Sequence, residues 1–264
     1  MLDKVDEIQS RYFKVMAGFI LGFDEDPEDI ADLTKKFIQQ ANIGLAMVGP
    51  PGILPDTPDY KRYSRQNRLV KDVRYAGDSG ILTRKLSYIP QDKYGNKIDP
   101  EVILDRVREV FEFINQPENY YERAVNYLKN RERKPLAKMD TGLRELGAAV
   151  KMIYQQGMKS NYKSAFWKGL VGTLRNDPRD VADFFHYSAE GLHLINTARE
   201  SLKVDDLNTY MGRIMKNARS IGNDLRNLGQ NYTHDIAGRY RQISEDFKDH
   251  VLPEYRKLID RLAS

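Results

Sequence analysis

Two apolar runs separated by an amphipathic helix constrain the fold of this chain more than any other feature. The first is KVMAGFILGF at residues 14–23, and the second is IGLAMVG at residues 43–49. Continuous apolar runs of this length, with both faces to bury, are typical of parallel strands covered by helices. The helix between them is predicted to be capped by Asp26, with Pro27 at its first position. Strand, helix and strand together predict a βαβ unit with parallel strands.

The character of the sequence changes near residue 98. Prolines recur in the preceding stretch, residues 50–98, and exclude long regular elements there. Asp99 followed by Pro100 then opens the first of several capped, amphipathic helices. The sequence therefore predicts two domains, an incomplete α/β piece at residues 1–98 and a larger all-helical piece at residues 99–264, in a chain that is mostly helical overall.

The C-terminal tail carries a stripe of apolar residues spaced alternately four and three apart, running from Leu207 through Met211 and Ile214 to Tyr232. Such a heptad stripe indicates either a helical hairpin that packs on its own domain or a self-associating coiled coil. Glycines within the stripe weaken a long helix, and they favour the hairpin.

Composition excludes several classes of protein. The 264 residues contain no cysteine, which excludes disulfides, thiolate metal sites and a cysteine nucleophile. No apolar run reaches the roughly 18 residues of a membrane span, and the charged N-terminus is unlike a signal peptide, so we expect a cytoplasmic protein. The net charge of +4 is spread evenly. The basic run at residues 129–134 is accordingly interpreted as a solvated helix end rather than a nucleic-acid site.

Two glycines, Gly18 and Gly22, lie on the second half of the first predicted strand. Ligands of α/β proteins gather at the carboxyl ends of parallel strands. A glycine there lets a flat ligand reach backbone N–H and C=O groups. Glycines also relieve packing beneath a helix, and their spacing alone does not separate the two interpretations.

The residue order Gly18-x-Ile20-x-Gly22-x-x-Glu25 resembles the GxIxGxxE pattern on the fifth strand of the radical S-adenosylmethionine (radical SAM) barrel. Four longer segments add to the resemblance: AGFILGFDEDPEDI, LAMVGPPGILPDTPDYKRY, INQPENYYERAVNYL and FWKGLVGTLRNDPRD. In this order they are similar to cobalamin-binding-type radical SAM proteins that end in a helical domain of unknown function. That subgroup includes hopanoid methylase relatives, and the resemblance covers residues 5–200.

The resemblance implies a fold, a site and a set of cofactors. Residues 1–98 would be the C-terminal remnant of a radical SAM barrel, hence a partial (half) barrel that contains the βαβ unit. The backbone of Gly18, Ile20, Gly22 and Glu25 would contribute to binding the adenine of S-adenosylmethionine. Family members also hold a [4Fe–4S] cluster through a CxxxCxxC loop. Such a cluster needs thiolate ligands, so a chain without cysteine is expected to bind no cluster alone and to generate no deoxyadenosyl radical.

Two functional hypotheses follow from the resemblance and from the ways in which this chain departs from the family pattern. In the first, the chain is a C-terminal fragment of a radical SAM enzyme, either truncated or one part of a split enzyme, and inactive alone. Its partner would be an N-terminal radical SAM half chain or a second copy of itself. In the second, the chain is a non-catalytic helical interaction module that retains a decayed half barrel. Neither hypothesis assigns a catalytic residue.

Three further groups of residues have simpler interpretations. His186, Glu190 and His193 have a helical spacing that could gather metal ligands, but no fourth ligand is evident and the same face could line the helical core. The carboxylates of residues 24–29 are interpreted as capping the next helix and compensating its dipole. The aromatic group around Trp167 is interpreted as part of the core.

Overall fold

The computed structural model describes residues 1–11, 13–70, 85–132 and 143–227, with isolated residues after 240. Side chains are described over the same ranges up to residue 203, except for 143–146, and at scattered positions beyond. Within these residues the protein is mostly helical, as predicted, with one two-stranded sheet. None of the helices in these ranges is both long enough and apolar enough to cross a membrane.

The sheet lies in the N-terminal part of the chain. The elements there are α1 (Leu2–Ser10), β1 (Met16–Ile20), α2 (Ile30–Gln40), β2 (Leu45–Gly49) and α3 (Pro58–Arg65). β1 and β2 pair in parallel, as predicted, with Met16 opposite Leu45 and Ile20 opposite Gly49. That these strands form a βαβ unit within a half barrel stays a prediction.

The remaining described elements are all helical. They are α4 (Pro100–Asn115), α5 (Pro117–Asn130), α6 (Leu143–Met152), a π-helix (Ile153–Lys159), α7 (Lys163–Asn176), a 3-10 turn (Pro178–Asp180) and α8 (Val181–Asn227). Asp99 and Asp177 each accept a hydrogen bond from the backbone amide two residues later, as expected for Asp-Pro helix starts.

The start of α2 departs from its prediction. The helix begins at Ile30, and its N-cap residue, Asp29, makes no side-chain capping hydrogen bond. Asp26 was predicted to cap this helix, but its carboxylate instead accepts hydrogen bonds from two backbone amides of the preceding turn. The prediction is wrong because the turn that leaves β1 has its own unpaired amides, and Asp26 lies closer to them.

One face of the sheet is open. Met16 and Ile20, alternate residues of β1, are 61% and 55% exposed. The opposite face packs on α2, where the rings of Phe19 and Phe37 meet edge to face with centroids 6.0 Å apart. The prediction that both faces of this apolar run are buried is therefore wrong for β1, because the helices that contact the sheet cover one face only.

The chain divides into two compact units, residues 1–199 and 200–264. Within the first unit, Val107 and Ile114 of α4 share a core with Leu21 and Ile38 from the sheet region. The predicted division into residues 1–98 and 99–264 has another basis, because it separates a barrel remnant from a helical domain. That division stays a prediction.

The C-terminal heptad stripe lies partly on α8, which continues as one helix to Asn227. The side chains of the stripe, together with Leu228 and Tyr232, lie outside the described residues. The choice between a hairpin and a coiled coil therefore stays a prediction.

A second core, here called the helical core, joins α5, the π-helix, α7 and the start of α8. Several of its buried polar groups are paired with one another. The hydroxyl of Tyr121 donates to Oε1 of Gln156 at 2.5 Å, and Nε2 of Gln156 donates to the Ser188 carbonyl at 2.7 Å. The hydroxyl of Tyr120 donates to the Tyr187 carbonyl at 2.9 Å. Burial raises the pKa of Tyr120, Tyr121 and Tyr187, so these phenols stay protonated.

Candidate functional site

The four residues predicted to bind a cofactor lie in residues 18–26, here called the sheet corner. Gly18 and Ile20 belong to β1 and occupy positions on its open face. A Cβ atom added to Gly18 would have no heavy atom within 4 Å. Because no side chain covers this backbone, a ligand has room to approach β1 at Gly18.

Gly22 has a different environment from Gly18. It is buried, and its φ of 117° lies in the region that favours glycine. Its amide donates to Oδ2 of Asp26 at 2.6 Å, and its carbonyl accepts from the hydroxyl of Tyr88 at 2.5 Å. A Cβ atom there would lie 2.6 Å from both Cγ2 of Ile103 and the Tyr88 hydroxyl. Gly22 therefore shapes the turn, and its two backbone polar groups are already bonded within the chain.

An ion pair fixes the outer side of the turn. Arg68 donates from both terminal nitrogens to the Asp24 carboxylate, at 2.6 and 2.7 Å, and from Nε to the Ile89 carbonyl at 2.8 Å. The Arg68 side chain is 3% exposed and lies over the ring of Tyr63, 4.5 Å from its centroid. Hydrogen bonding to Asp24 raises the pKa of Arg68. This bidentate pair holds the turn against the segment that carries Tyr88.

Glu25, the last residue of the pattern, is exposed. Its side chain is 72% accessible, and its Oε1 lies 3.9 Å from Nη1 of Arg62. An ion pair of this length between accessible groups contributes little to stability. The carboxylate of Glu25 is therefore available to a ligand, although no contact among the described residues directs it toward Gly18 or Ile20.

The buried guanidinium of Arg123 connects the helices to the chain that leads into the sheet. Arg123 of α5 is 1% exposed, and its guanidinium donates to the carbonyls of Ile43 at 2.9 Å and Ile114 at 2.6 Å and to Oε1 of Gln39 at 3.1 Å. Burial lowers the pKa of Arg123 to about 10. The Ile114 carbonyl lies in the last turn of α4, where the helix dipole favours a positive charge. Arg123 thus connects α5 with the C-terminal ends of α2 and α4 and with Ile43, two residues before β2 begins.

Sequence reasoning missed Tyr88, Arg68 and Arg123 as residues that shape the site. Each acts through contacts with segments far away in the chain, and no local spacing distinguishes such a tyrosine or arginine from others. Asp24 was recognised only as one of a group of helix-capping acids. A signal for its pairing with Arg68 would have required knowledge of which distant segments meet.

The other constellations considered from the sequence form no site in the described residues. His186 and His193 are exposed, and Glu190 forms an ion pair with Lys14. Among the described residues, no group of three or more His, Asp or Glu side chains could hold a metal ion. Trp167 was predicted to lie in the core, but it is 41% exposed.

Comparisons with known proteins give consistent results. The family model Domain of unknown function (DUF4070) matches residues 57–205. An uncharacterized methyltransferase of Synechocystis sp. is 30% identical over 189 residues, which are 71% of this chain and 33% of that protein. The hopanoid C-2 methylase of Rhodopseudomonas palustris is 27% identical over 203 residues, which are 76% of this chain and 36% of that protein.

This chain spans about a third of the length of both relatives. No solved structure matches it significantly. The family match covers more than half of the chain and includes α3, α4, α5 and α7. The chain therefore belongs to the family of Domain of unknown function (DUF4070), the C-terminal domain of cobalamin-binding radical SAM proteins, as the resemblance in its sequence predicted.

Proposed function

We propose that this chain supplies the C-terminal portion of a radical SAM enzyme. In this proposal β1, α2 and β2 are a βαβ unit from the end of the barrel, and the helices from α4 onward are an accessory domain. Family membership and the two methyltransferase-type relatives support the proposal. The reaction class is methyl transfer, by analogy with the names of both relatives. Since those proteins are about three times as long, the activity belongs to the assembled enzyme.

The open backbone at Gly18 is the observation on which the proposal depends most. A flat adenine ring needs access to strand backbone with little side chain in the way, and Gly18 offers it on the exposed face of β1. Ile20, on the same face, supplies apolar surface for the ring. Gly22 acts indirectly, because its amide donates to Asp26 and its carbonyl accepts from Tyr88, and these two bonds set the direction of the turn.

The iron–sulfur cluster of the family does not fit this chain. Thiolates are the ligands that a [4Fe–4S] cluster requires, and the sequence contains no cysteine. Any cluster in the assembled enzyme would have to be held by cysteines outside these 264 residues. The residues of this chain are therefore assigned to binding and positioning, and no chemical step is derived from them.

A second candidate is a non-catalytic helical interaction module that retains a decayed half barrel. The absence of cysteine favours it, since a chain freed from cluster chemistry need not keep a cofactor surface. The two candidates differ in one property of the chain, which is whether the open face of β1 binds an adenosine group.

Equilibrium dialysis of the full chain with S-adenosylhomocysteine separates the two. Gly18→Val places a side chain on the open backbone, and we expect it to weaken binding at least about tenfold, or about 1.4 kcal/mol. Gly52→Val is the matched control, because Gly52 is also exposed and a Cβ there meets nothing within 4 Å. Equal affinities of both variants and the wild type would place the ligand elsewhere. An absence of binding by the wild type would favour the interaction module.

A further inference from the structure

A surface outside the sheet corner combines exposed apolar side chains with basic ones. It lies on the last turn of α6, the π-helix and α7, and we call it the basic apolar face. Its large apolar members are between 39% and 65% exposed, and they are Val150, Tyr154, Met158, Trp167, Val171 and Leu174. Six exposed apolar side chains within 25 residues are unusual for a solvated surface.

The helical period places the α7 members of this face together. Trp167, Val171 and Leu174 follow one another at intervals of four and three, which puts them on one side of the helix. The adjoining side of α7 packs into the helical core through Phe166, which precedes Trp167, and Leu170, one turn before Leu174; these two residues are 0% and 6% exposed. The exposed apolar stripe therefore borders the buried one and extends apolar surface onto the solvent-facing part of α7.

Trp167 joins the π-helix and α7 into one surface. Its Nε1 donates to the Gly157 carbonyl at 2.8 Å, and its ring meets that of Phe166 edge to face, with centroids 5.6 Å apart. A Cβ atom on Gly157 would lie 3.1 Å from the indole ring. The indole is therefore held in place against Gly157, the residue before the exposed Met158, with part of its surface exposed.

The charge of this region has one sign. Residues 147–176 contain five basic side chains and no acidic one. At the edge of the face, Lys168, Val171 and Arg175 line a groove that also contains Glu118 and Glu122 of α5, so the basic charge there is offset. The basic residues away from that groove are Lys151, Lys159 and Lys163, all of them exposed.

We propose that the basic apolar face docks on the headgroup region of an anionic phospholipid bilayer. Tryptophan and tyrosine favour the boundary between water and lipid, and lysines can extend to the headgroup phosphates while their stems cover apolar surface. Each lysine near an anionic bilayer contributes roughly a fivefold gain in affinity. The aliphatic members favour a bilayer over a nucleic acid, because Val171 and Leu174 would gain nothing from a phosphate backbone. Docking of this kind is peripheral and requires no spanning helix.

Trp167 is the only tryptophan of the chain, so its fluorescence reports on this face directly. The full chain is mixed with vesicles of phosphatidylcholine alone, or of phosphatidylcholine with phosphatidylglycerol. We expect binding to the anionic vesicles only, a blue shift of the emission, and quenching by brominated lipids. The double variant Lys159→Gln/Lys163→Gln should weaken binding about 25-fold. Leu174→Ser, at a partly exposed position, should reduce the blue shift and weaken binding.

The matched control is Lys36→Gln/Lys61→Gln, which removes two exposed lysines from α2 and α3. It should bind anionic vesicles like the wild type, and circular dichroism checks that all variants are folded. Equal losses in both double variants would overturn the proposal, because they would show attraction by net charge alone. So would vesicle binding without quenching, or a fluorescence change produced by duplex RNA and not by vesicles. Binding of S-adenosylhomocysteine is measured separately and depends on Gly18, so the two proposals fail independently.

Discussion

In the helical core the phenols of Tyr120 and Tyr121 and the amide of Gln156 find partners within the core, whereas in the sheet corner the backbone of Gly18 is uncovered beside the exposed side chain of Ile20. Tyr121 and Gln156 show the first arrangement, with their hydrogen bonds closed between buried side chains. Gly18 and Ile20 show the second, with backbone and apolar surface left open on one face of β1.

The two arrangements have different consequences for stability. A closed network of satisfied polar groups and interlocked rings stabilises the fold, and it offers no surface to another molecule. An open apolar face costs stability in water, and large faces of this kind are typical of sites that bind another molecule. The sheet corner contains both arrangements, since the backbone polar groups of Gly22 are hydrogen-bonded within the chain while the backbone of Gly18 is open.

Phe166→Ala should have the largest effect on stability. Phe166 is fully buried, and its ring contacts those of Tyr121 and Phe184 with centroids 6.0 and 5.7 Å away. Removing it should lower the free energy of unfolding by about 3–5 kcal/mol, as measured by urea denaturation. Ile20→Ala is the counterpart on the open face and should change the same quantity by less than about 0.5 kcal/mol. Similar losses in both variants would mean that the face of β1 is not open.

High pH should also destabilise the helical core. The pKa values of Tyr120, Tyr121 and Tyr187 are raised by burial above the ordinary value of 10.0. Between the unfolded and folded pKa the folded state binds more protons, so stability is intact below pH 10 and falls as the pH rises above it. Each tyrosine should contribute a loss of about 1.4 kcal/mol per pH unit, or on the order of 4 kcal/mol together near pH 11. Thermal melts against pH measure this loss.

The two glycines of the sheet corner should respond differently to alanine. Gly22→Ala meets an unfavourable φ and two close contacts, and should cost about 2–3 kcal/mol. Gly18→Ala meets no neighbour, so its free energy of unfolding should change by less than about 0.5 kcal/mol. Denaturant titrations of the pair compare a residue that shapes the turn with one that leaves space. Equal effects would contradict that assignment.

The smallest effect concerns the hydrogen bond between Tyr88 and the Gly22 carbonyl. Tyr88→Phe keeps the ring and leaves a buried carbonyl without its donor, which should cost about 1 kcal/mol. Scanning calorimetry detects this as a lower melting temperature. Tyr94→Phe is the control, because Tyr94 is 77% exposed and should melt like the wild type. If the two variants melt alike, the Tyr88 hydroxyl does not hold the turn.

Local patterns predicted the elements of this fold better than its contacts. Asp99 with Pro100 marked the start of α4 correctly, because a capping carboxylate acts within a few residues of itself. The apolar runs likewise marked both strands correctly, because a run of apolar residues is also a pattern within a few consecutive residues. Asp26 was assigned to the wrong amides, since two sets of unpaired N–H groups lay within its reach and the sequence does not show which turn forms.

In the candidate site, too, local sequence patterns predicted nearby residues but not the contacts between residues far apart in the chain. Its glycines could be found because the pattern that contains them spans only eight residues, 18–25. The pairing of Asp24 with Arg68 and of Gly22 with Tyr88 joins positions 44 and 66 residues apart. Such contacts depend on how the elements pack, and no spacing rule within one element contains that information.

We propose that the open backbone at Gly18 and Ile20 is the surface that meets an adenosine group, while Gly22 only shapes the turn. Titration of the isotope-labelled full chain with S-adenosylhomocysteine, followed by amide NMR, tests this directly. We predict that the largest shifts occur at the amides of Gly18, Phe19 and Ile20, and that the amide of Gly22 keeps its hydrogen bond to Asp26. Saturable shifts confined to residues outside β1 and β2, or none at all, would contradict the account.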